Sequence, residues 1–321
     1  MTGTRHHLIL GGCGFIGRHV ALLLAEAGET VMLCDRAPLS VTYPEAVRHR
    51  IGHCTADLAT ADWDAMLEGV AVVHHYVWAS LPASANADPA RDLALNTTPT
   101  LALLEAMRRR GKAAPRLVFS SSGGTVYGRL RQVPVPEEHT LAPITAYGAG
   151  KAAVELYLGL YRALYGLDCR VARLANPFGA GQDLARGQGA ATTFLHHALT
   201  GQPITIWGDG EVVRDFIHIA DAAAGMAALA TCPEVGENWV VNIGSGQGTS
   251  LNTIIAELEA RLGRRLAVRR EPGRAFDVPV SVLDIRRARD VLGWAPRLSF
   301  AEGMSRTLSD LAGAATLSTM G

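Results

Sequence analysis

Long basic runs are missing from this sequence. Its 321 residues carry 30 Lys+Arg against 30 Asp+Glu, a formal net charge of zero, and the longest cationic stretch is Arg108-Arg109-Arg110. That argues against a nucleic-acid partner and a polybasic membrane patch, so any phosphate must be held locally. Cysteine is scarce as well: Cys13, Cys34, Cys54, Cys169 and Cys232 are odd in number, scattered, and never spaced as C-x-x-C. They read as small reduced fillers of a cytoplasmic protein rather than a disulfide framework. No apolar run approaches the roughly 18–20 residues of a membrane helix. Leu8–Leu10 breaks at once into glycines, without a cationic leader or a cleavage site, so no signal peptide is expected. The pairs His6-His7, His74-His75 and His196-His197 diverge on a strand or helix, with no carboxylate or cysteine at ligand spacing, so no metal is expected. Internal repeats and low-complexity segments are absent too.

What is present is apolar. Hydrophobic residues make up 48% and charged residues 19%, which suits a well-buried globule. The short runs Leu8–Leu10, Val31–Leu33, Val70–Val73, Leu117–Phe119 and Cys169–Leu174 predict strands. Between them, Ile16–Ala27, Leu93–Arg109 and Ala149–Leu164 repeat apolar residues at three- and four-residue spacing and predict helices. Nearly continuous apolar strands alternating with helices mean a parallel sheet covered on both faces, an α/β fold of the doubly wound, Rossmann type. After Asn176 comes a loop rich in Gly, Gln and Arg, Gly179–Gly189. Helix Thr192–Leu199, strand Ile204–Trp207, helix Ile219–Ala230, strand Trp239–Asn242, helix Leu251–Leu262 and a helical stretch around Ile285–Leu292 follow. The expected division is a cofactor domain over residues 1–175, to which 216–243 returns, and a smaller C-terminal α/β substrate lobe from 176–215 and 244–312. A frayed tail is expected from Gly313.

The segment from His7 to Gly17 reads as a strand, a glycine turn and a helix start, in which Gly12-x-Gly14-x-x-Gly17 and Gly11-x-x-Gly14-x-x-Gly17 coexist. Such a turn brings the backbone close to a diphosphate at a helix N-terminus, here Gly14, Phe15 and Ile16. The next strand ends in Asp35, placed to accept hydrogen bonds from adenosine ribose hydroxyls and to repel a 2′-phosphate. NAD is therefore favoured over NADP, although a guanidinium at Arg36 stands next door. Farther on, Tyr147-Gly148-Ala149-Gly150-Lys151 puts a phenol and an ammonium four residues apart on one helix face. A neighbouring cation lowers a phenol pKa, so this tyrosine is expected to act as a base while hydride leaves for nicotinamide.

Together the Gly11–Gly17 turn, Asp35, Asp57-Leu58, Asn96, Ser120-Ser121-Ser122, Thr125-Val126-Tyr127-Gly128 and Tyr147–Lys151 resemble the extended short-chain dehydrogenase/reductases. More narrowly they are similar to the NAD-dependent nucleotide-sugar epimerases typified by UDP-glucose 4-epimerase, from Leu8 to about Leu311. The resemblance implies an epimerase of a UDP-hexose or UDP-hexuronate that passes through a 4-keto sugar. It implies Tyr147 as the base and Lys151 as its partner on the nicotinamide ribose, with Asp57 and Leu58 beside the adenine. It further implies Asn176, Arg214 and Arg274 on the substrate diphosphate, the last within Arg274-Ala275-Phe276-Asp277, and Trp207 against the nucleotide base. A homodimer through a four-helix bundle is implied as well, with Leu101, Leu104, Ala152, Leu156 and Leu160 as its apolar surface.

One departure bears on catalysis. The family usually carries Ser or Thr four residues before the V-Y-G tyrosine, where this chain has Gly123; Ser122 and Thr125 are the nearest hydroxyls. Trp78 replaces the small residue usual near the nicotinamide. The rival readings are a dehydratase, decarboxylase or reductase of the same family, and a non-catalytic NAD-sensing protein. Gly123-Gly124-Thr125 lacks the acidic residue that dehydratases and decarboxylases usually carry there, and Asp35 disfavours an NADPH-consuming reductase. His218 and Asp221 read as structural. Arg186, the lone cation of the 179–187 loop, is placed to pair with a C5 carboxylate if the sugar is a uronic acid.

Overall fold

The computed structural model describes residues 5–39, 41–184, 189–274 and 278–318. Strands β1 (His6–Leu10), β2 (Thr30–Asp35), β3 (Ile51–Thr55), β4 (Val72–His75), β5 (Arg116–Ser122) and β6 (Cys169–Leu174) come first. Helices α1 (Phe15–Glu26), α2 (Glu45–Arg48), α3 (Trp63–Met66), α4 (Pro82–Ala87), α5 (Pro89–Arg110) and α6 (Ala146–Tyr165) lie among them. Then follow β7 (Asn176–Phe178), α7 (Ala190–Thr200), β8 (Ile204–Trp207), β9 (Val213–His218), α8 (Ile219–Thr231) and β10 (Val240–Ile243). The chain ends with β11 (Gly248–Ser250), α9 (Leu251–Leu262), β12 (Val268–Glu271), β13 (Val280–Ser281), α10 (Arg286–Leu292) and α11 (Phe300–Ser318).

Seven strands pair in the order β10-β6-β5-β4-β1-β2-β3, all parallel. The strand order reverses between β1 and β4, which opens a crevice beyond their C-terminal ends, where α/β sheets bind ligands. Alternation along β1 explains why both faces are covered. Ile9 points into one core with Leu33, Val118, Val20 and Leu24 of α1, and Met226 and Leu229 of α8. Leu8 and Leu10 point into the other, with Phe119, Leu103 and Leu104 of α5, and Val154 and Leu158 of α6. Each fully buried leucine contributes ~1.5–3 kcal/mol, so this period-2 pattern also fixes strand register.

A third core forms beyond β6 from Phe178, Phe194, Leu195, Ile204, Ile206, Phe216, Ile254 and Leu258. There β9 pairs with β7, β11 and β13, and β8 pairs with β12. Asp221 ties α8 to the C-terminal segment by accepting from the backbone N–H groups of Arg297 and Leu298 at 3.0 and 2.9 Å. The described helix α11 continues to Ser318, past the point where fraying was expected. Of the apolar surface expected on α5 and α6, Leu104 and Ala152 are buried within the chain, whereas Leu156 and Leu160 are exposed.

Candidate active site

Steric necessity shapes the turn after β1. A Cβ at Gly17 would collide with the carbonyl oxygen of Gly11, so the turn closes only with glycine there. Helix α1 starts at Phe15 with Gly14 as an exposed N-cap that has no side-chain cap, leaving the first-turn N–H groups available to an anion. Asp35, at the end of β2, is held beside this turn: Oδ2 accepts from the N–H of Cys13 at 3.2 Å, and Oδ1 from the N–H of Ala37 at 3.2 Å. Arg36 turns toward Asp57, with an N–O distance of 3.9 Å. These residues line one cleft of about 730 Å³, together with Leu58, Trp78, Ser122, Thr125, Tyr147, Lys151 and Asn176. An uncapped helix start, a carboxylate at the end of β2 and a long cleft lined by both polar and apolar groups suit a dinucleotide, so the residues present fit NAD.

At the far end of the cleft, Thr145 caps α6 by accepting from the N–H of Gly148 at 3.1 Å. The first turn of that helix carries Tyr147 and, one turn on, Lys151. The Lys151 Nζ donates to the Ser120 carbonyl at 2.6 Å and lies 4.0 Å from the Trp78 ring centroid and 4.7 Å from that of Phe119. Aromatic faces attract a cation, yet burial wins, and the Lys151 pKa is pushed down to about 7. Tyr147 does not follow the expected direction. Burial first, and then the charge of Asp92, push its pKa up to about 12. A reading of the spacing along α6 reveals the Lys151 charge but neither of these causes.

Asp92 is the residue that reading missed. It is 3% exposed on α5, and accepts from Ser80 Oγ and, at 3.0 Å, from Asn96 Nδ2. Its other oxygen, Oδ2, is buried without a partner, close to Gly150 between Tyr147 and Lys151. Asn96 itself accepts from the N–H of Ala79 at 2.7 Å, which fixes the segment carrying Trp78. The Asp-x-x-x-Asn spacing on one helix face was the available signal.

The question raised by Gly123 has a geometric answer. A Cβ there would come 2.6 Å from Leu283 Cδ1 and 3.2 Å from the Arg173 carbonyl oxygen, so position 123 faces the interior rather than the cleft. Ser122, the last residue of β5, and Thr125 both line the cleft, and Thr125 Oγ1 is buried without a partner.

The expected substrate residues divide. Asn176 lies in the cleft and donates from Nδ2 to the Asp215 carbonyl at 2.9 Å. Trp207, Arg214 and Arg274 sit beyond the cleft on the third core: Arg274 Cζ lies 5.5 Å from the Trp207 ring centroid, and Arg214 donates to the Val278 carbonyl at 2.6 Å. Arg186 and Asp277 lie outside the described residues. Among the described residues no group of three or more His, Cys, Asp or Glu is arranged to hold a metal ion, and no helix is long and apolar enough to cross a membrane.

Comparison with known proteins agrees with this geometry. Residues 7–244 match the NAD dependent epimerase/dehydratase family. A putative UDP-glucose 4-epimerase of Methanocaldococcus jannaschii is 32% identical over 308 residues, covering 94% of this chain and 97% of that one. The crystal structure of UDP-glucose 4-epimerase from Thermotoga maritima with UDP-glucose superposes with a TM-score of 0.87 at 32% identity, covering 96% and 99% of the two chains. That of the Thermus thermophilus UDP-glucose 4-epimerase in complex with NAD gives 0.85 at 29% identity, again covering 96% and 99%.

Proposed function

Because the chain belongs to the NAD dependent epimerase/dehydratase family, we propose that it inverts C4 of a UDP-hexose or UDP-hexuronate, with Tyr147 as the group that takes and returns the proton. The observation that carries this reading is the convergence of Tyr147, Lys151, Ser122 and Asn176 with the glycine turn and Asp35 in one cleft. NAD, which the glycine turn, Asp35 and Lys151 would hold along that cleft, would supply hydride acceptance and return at C4 and a positive charge that favours the phenolate. Tyr147 Oη removes the 4-hydroxyl proton as the C4–H bond breaks, leaving a 4-keto sugar. Ser122 donates a hydrogen bond to the sugar oxygen, in place of the hydroxyl absent at position 123. Lys151 holds the ribose hydroxyls of the cofactor and supports the phenolate. After the sugar turns, Tyr147 returns its proton to the oxygen as hydrogen is delivered to the opposite face. No carboxylate stands in Gly123-Gly124-Thr125 to remove a second proton, which favours epimerisation over dehydration. Asn176, Arg214 and Arg274 take the substrate diphosphate, Trp207 takes the base, and Asp277, on the sequence alone, joins them as a substrate-binding residue. Arg186 pairs with the carboxylate of a uronic acid.

Purified protein incubated with UDP-glucose or UDP-glucuronate, without added cofactor, should yield the C4 epimer of at least one. Formation of a dehydrated or decarboxylated sugar instead would overturn the reading. Arg186→Ala should lower the preference for the uronate; an unchanged preference removes that role.

The working assembly we propose is a homodimer. Leu156, Leu160 and Leu164 are 71%, 44% and 62% exposed along one row of α6, beside α5, a surface that suits a four-helix bundle. Light scattering should give twice the chain mass, and Leu156→Glu should halve it. The five free cysteines suit the reducing cytoplasm, where we place the protein.

A further inference from the structure

A second hollow lies on the other flank of α1. Arg18, His19 and Leu22 of that helix face Tyr43 and Pro44 before α2, and Ala180-Gly181 after β7, around a space of about 270 Å³. Arg18 and Gly181 border both this hollow and the cofactor cleft. No carboxylate lines the hollow.

Arg18 is in an unusual state for a cation. Its Nε and Nη2 are buried, and neither has a hydrogen-bond partner. Among the described residues its charge meets the Phe15 ring, whose centroid lies 5.9 Å from Cζ. The neighbours do not compensate. Tyr43 is held in its neutral form, its pKa pushed up to about 12 by burial, and its hydroxyl donates to the Arg18 carbonyl at 3.5 Å. His19 is engaged with the Phe15 carbonyl at 2.8 Å, and burial lowers its pKa, which keeps it neutral. A guanidinium stays charged under any of these conditions, so among the described residues the hollow's lining offers no carboxylate to balance this positive charge.

A purely structural arginine would donate to the carbonyls of the segment it touches. This one does not, although that segment passes directly over it: Gly181 has φ +86°, and a Cβ there would collide with the guanidinium. Buried donors without acceptors are costly, and a protein retains them where a ligand completes the set. The start of α1 adds to the preference for negative charge.

We infer that Arg18 is the principal ligand of a phosphate-class anion on the flank of α1, apart from the N–H groups of the glycine turn. The anion reaches it either from the cleft, as the diphosphate of the cofactor, or from the hollow, as a free phosphate. Position 181 is glycine because the anion-binding guanidinium needs its backbone that close.

Binding measurements on the cofactor-stripped full chain test this without reference to turnover or to the sugar. By calorimetry, if the occupant is the cofactor diphosphate, Arg18→Met should weaken NAD and ADP by about tenfold or more, while adenosine, which has no phosphate, binds parent and variant alike. Arg18→Lys should recover part of the loss. Inorganic phosphate should raise the melting temperature of the parent but not of Arg18→Met. If that rise persists at saturating NAD, the occupant is a free phosphate; if NAD abolishes it, the occupant is the cofactor diphosphate. In the first case the NAD and ADP affinities of Arg18→Met stay at parent values and the phosphate response alone is lost. Should Arg18→Met fail to fold, Arg18→Gln is read in the same way. A folded variant that keeps parental affinity for NAD and ADP and the parental response to phosphate overturns the inference.

Discussion

Two buried polar clusters flank α6, and they are finished to different degrees. On one side Arg173 makes a bidentate pair with Glu155, its Nη2 2.7 Å from Oε2, and also donates to the Tyr127 hydroxyl at 2.9 Å and the Glu137 carbonyl at 2.8 Å. The Tyr127 hydroxyl donates a hydrogen bond to Asn242 Oδ1 at 2.7 Å, and Ser121 donates to Glu155. On the other side Asp92 Oδ2, Trp78 Nε1 and Thr125 Oγ1 are buried with no partner, around a lysine held near neutrality and a phenol held well above it. The completed cluster anchors the V-Y-G turn to the sheet. The incomplete one keeps its donors and acceptors for a ligand, and that difference separates scaffold from chemistry better than burial does.

The largest effect comes from cutting the reactive side alone. Tyr147→Phe removes one oxygen, and turnover should fall ~10²–10⁴-fold while NAD affinity and melting temperature stay put. A loss of only a few-fold would mean that another group takes the proton. On the finished side the reverse pattern is expected. Arg173→Met strands the Glu155 carboxylate and should cost ~3–5 kcal/mol in urea unfolding, much of it recovered by adding Glu155→Leu. Equal costs for the single and double variants would show that the pair is not a unit.

Acid should expose a third buried set. His7 bonds His74 at 2.9 Å, His74 bonds the Tyr76 hydroxyl at 2.7 Å, and His75 bonds Thr100 at 2.9 Å. Burial pulls His7 down to about 4 and His75 to about 3, and His74 is lowered as well. Because the folded pKa values lie below the unfolded ones, the stability is whole above the unfolded value of about 6.5. It is lost as pH falls from there toward 4, by about 1.4 kcal/mol per pH unit for each histidine. A melting temperature that is flat between pH 7 and 4.5 would refute this. The smallest effect sharpens the comparison most. Asp92→Asn withdraws the charge that raises both Tyr147 and Lys151, so the pH profile of kcat/KM should move to lower pH by about one unit. A merely structural Asp92 would change stability and leave the profile in place.

What the sequence disclosed and what it withheld follow physical lines. Strand β1, the glycine turn and α1 were legible because few residue combinations satisfy that turn. The long helices are legible because their apolar spacing is regular, and the helix expected at Leu251–Leu262 coincides with α9. Edge strand β3 went unread, since Ile51–Thr55 is half-exposed and interrupted by Gly52 and His53. So did β12, whose Val268–Glu271 is almost all charged and outward-facing. Strand β4 begins two residues later than its apolar run, because His74 and His75, polar by type, are core residues here. At the site, Tyr147 and Lys151 were recognisable by spacing, but the pKa of the phenol depends on Asp92, which arrives from α5 across the fold. Counting back from Tyr127 points to Gly123, and only the path of the backbone shows that Ser122 and Thr125, not position 123, line the cleft.

The pairing of β10 with β6 bears on redesign. Strand β10 lies at the edge of the seven-stranded sheet beside β6, yet between them the chain builds β7, β8 and β9 around a different core. After β10 it crosses back to add β11, β12 and β13. A single residue, Ala175, separates β6 from β7. The wall that would choose the sugar nucleotide is therefore woven through the part that would hold the dinucleotide, with no seam at which one cut would free it. Transplanting the specificity of a relative would take two coordinated grafts, one on each side of α8 and β10, with both crossing points kept in register.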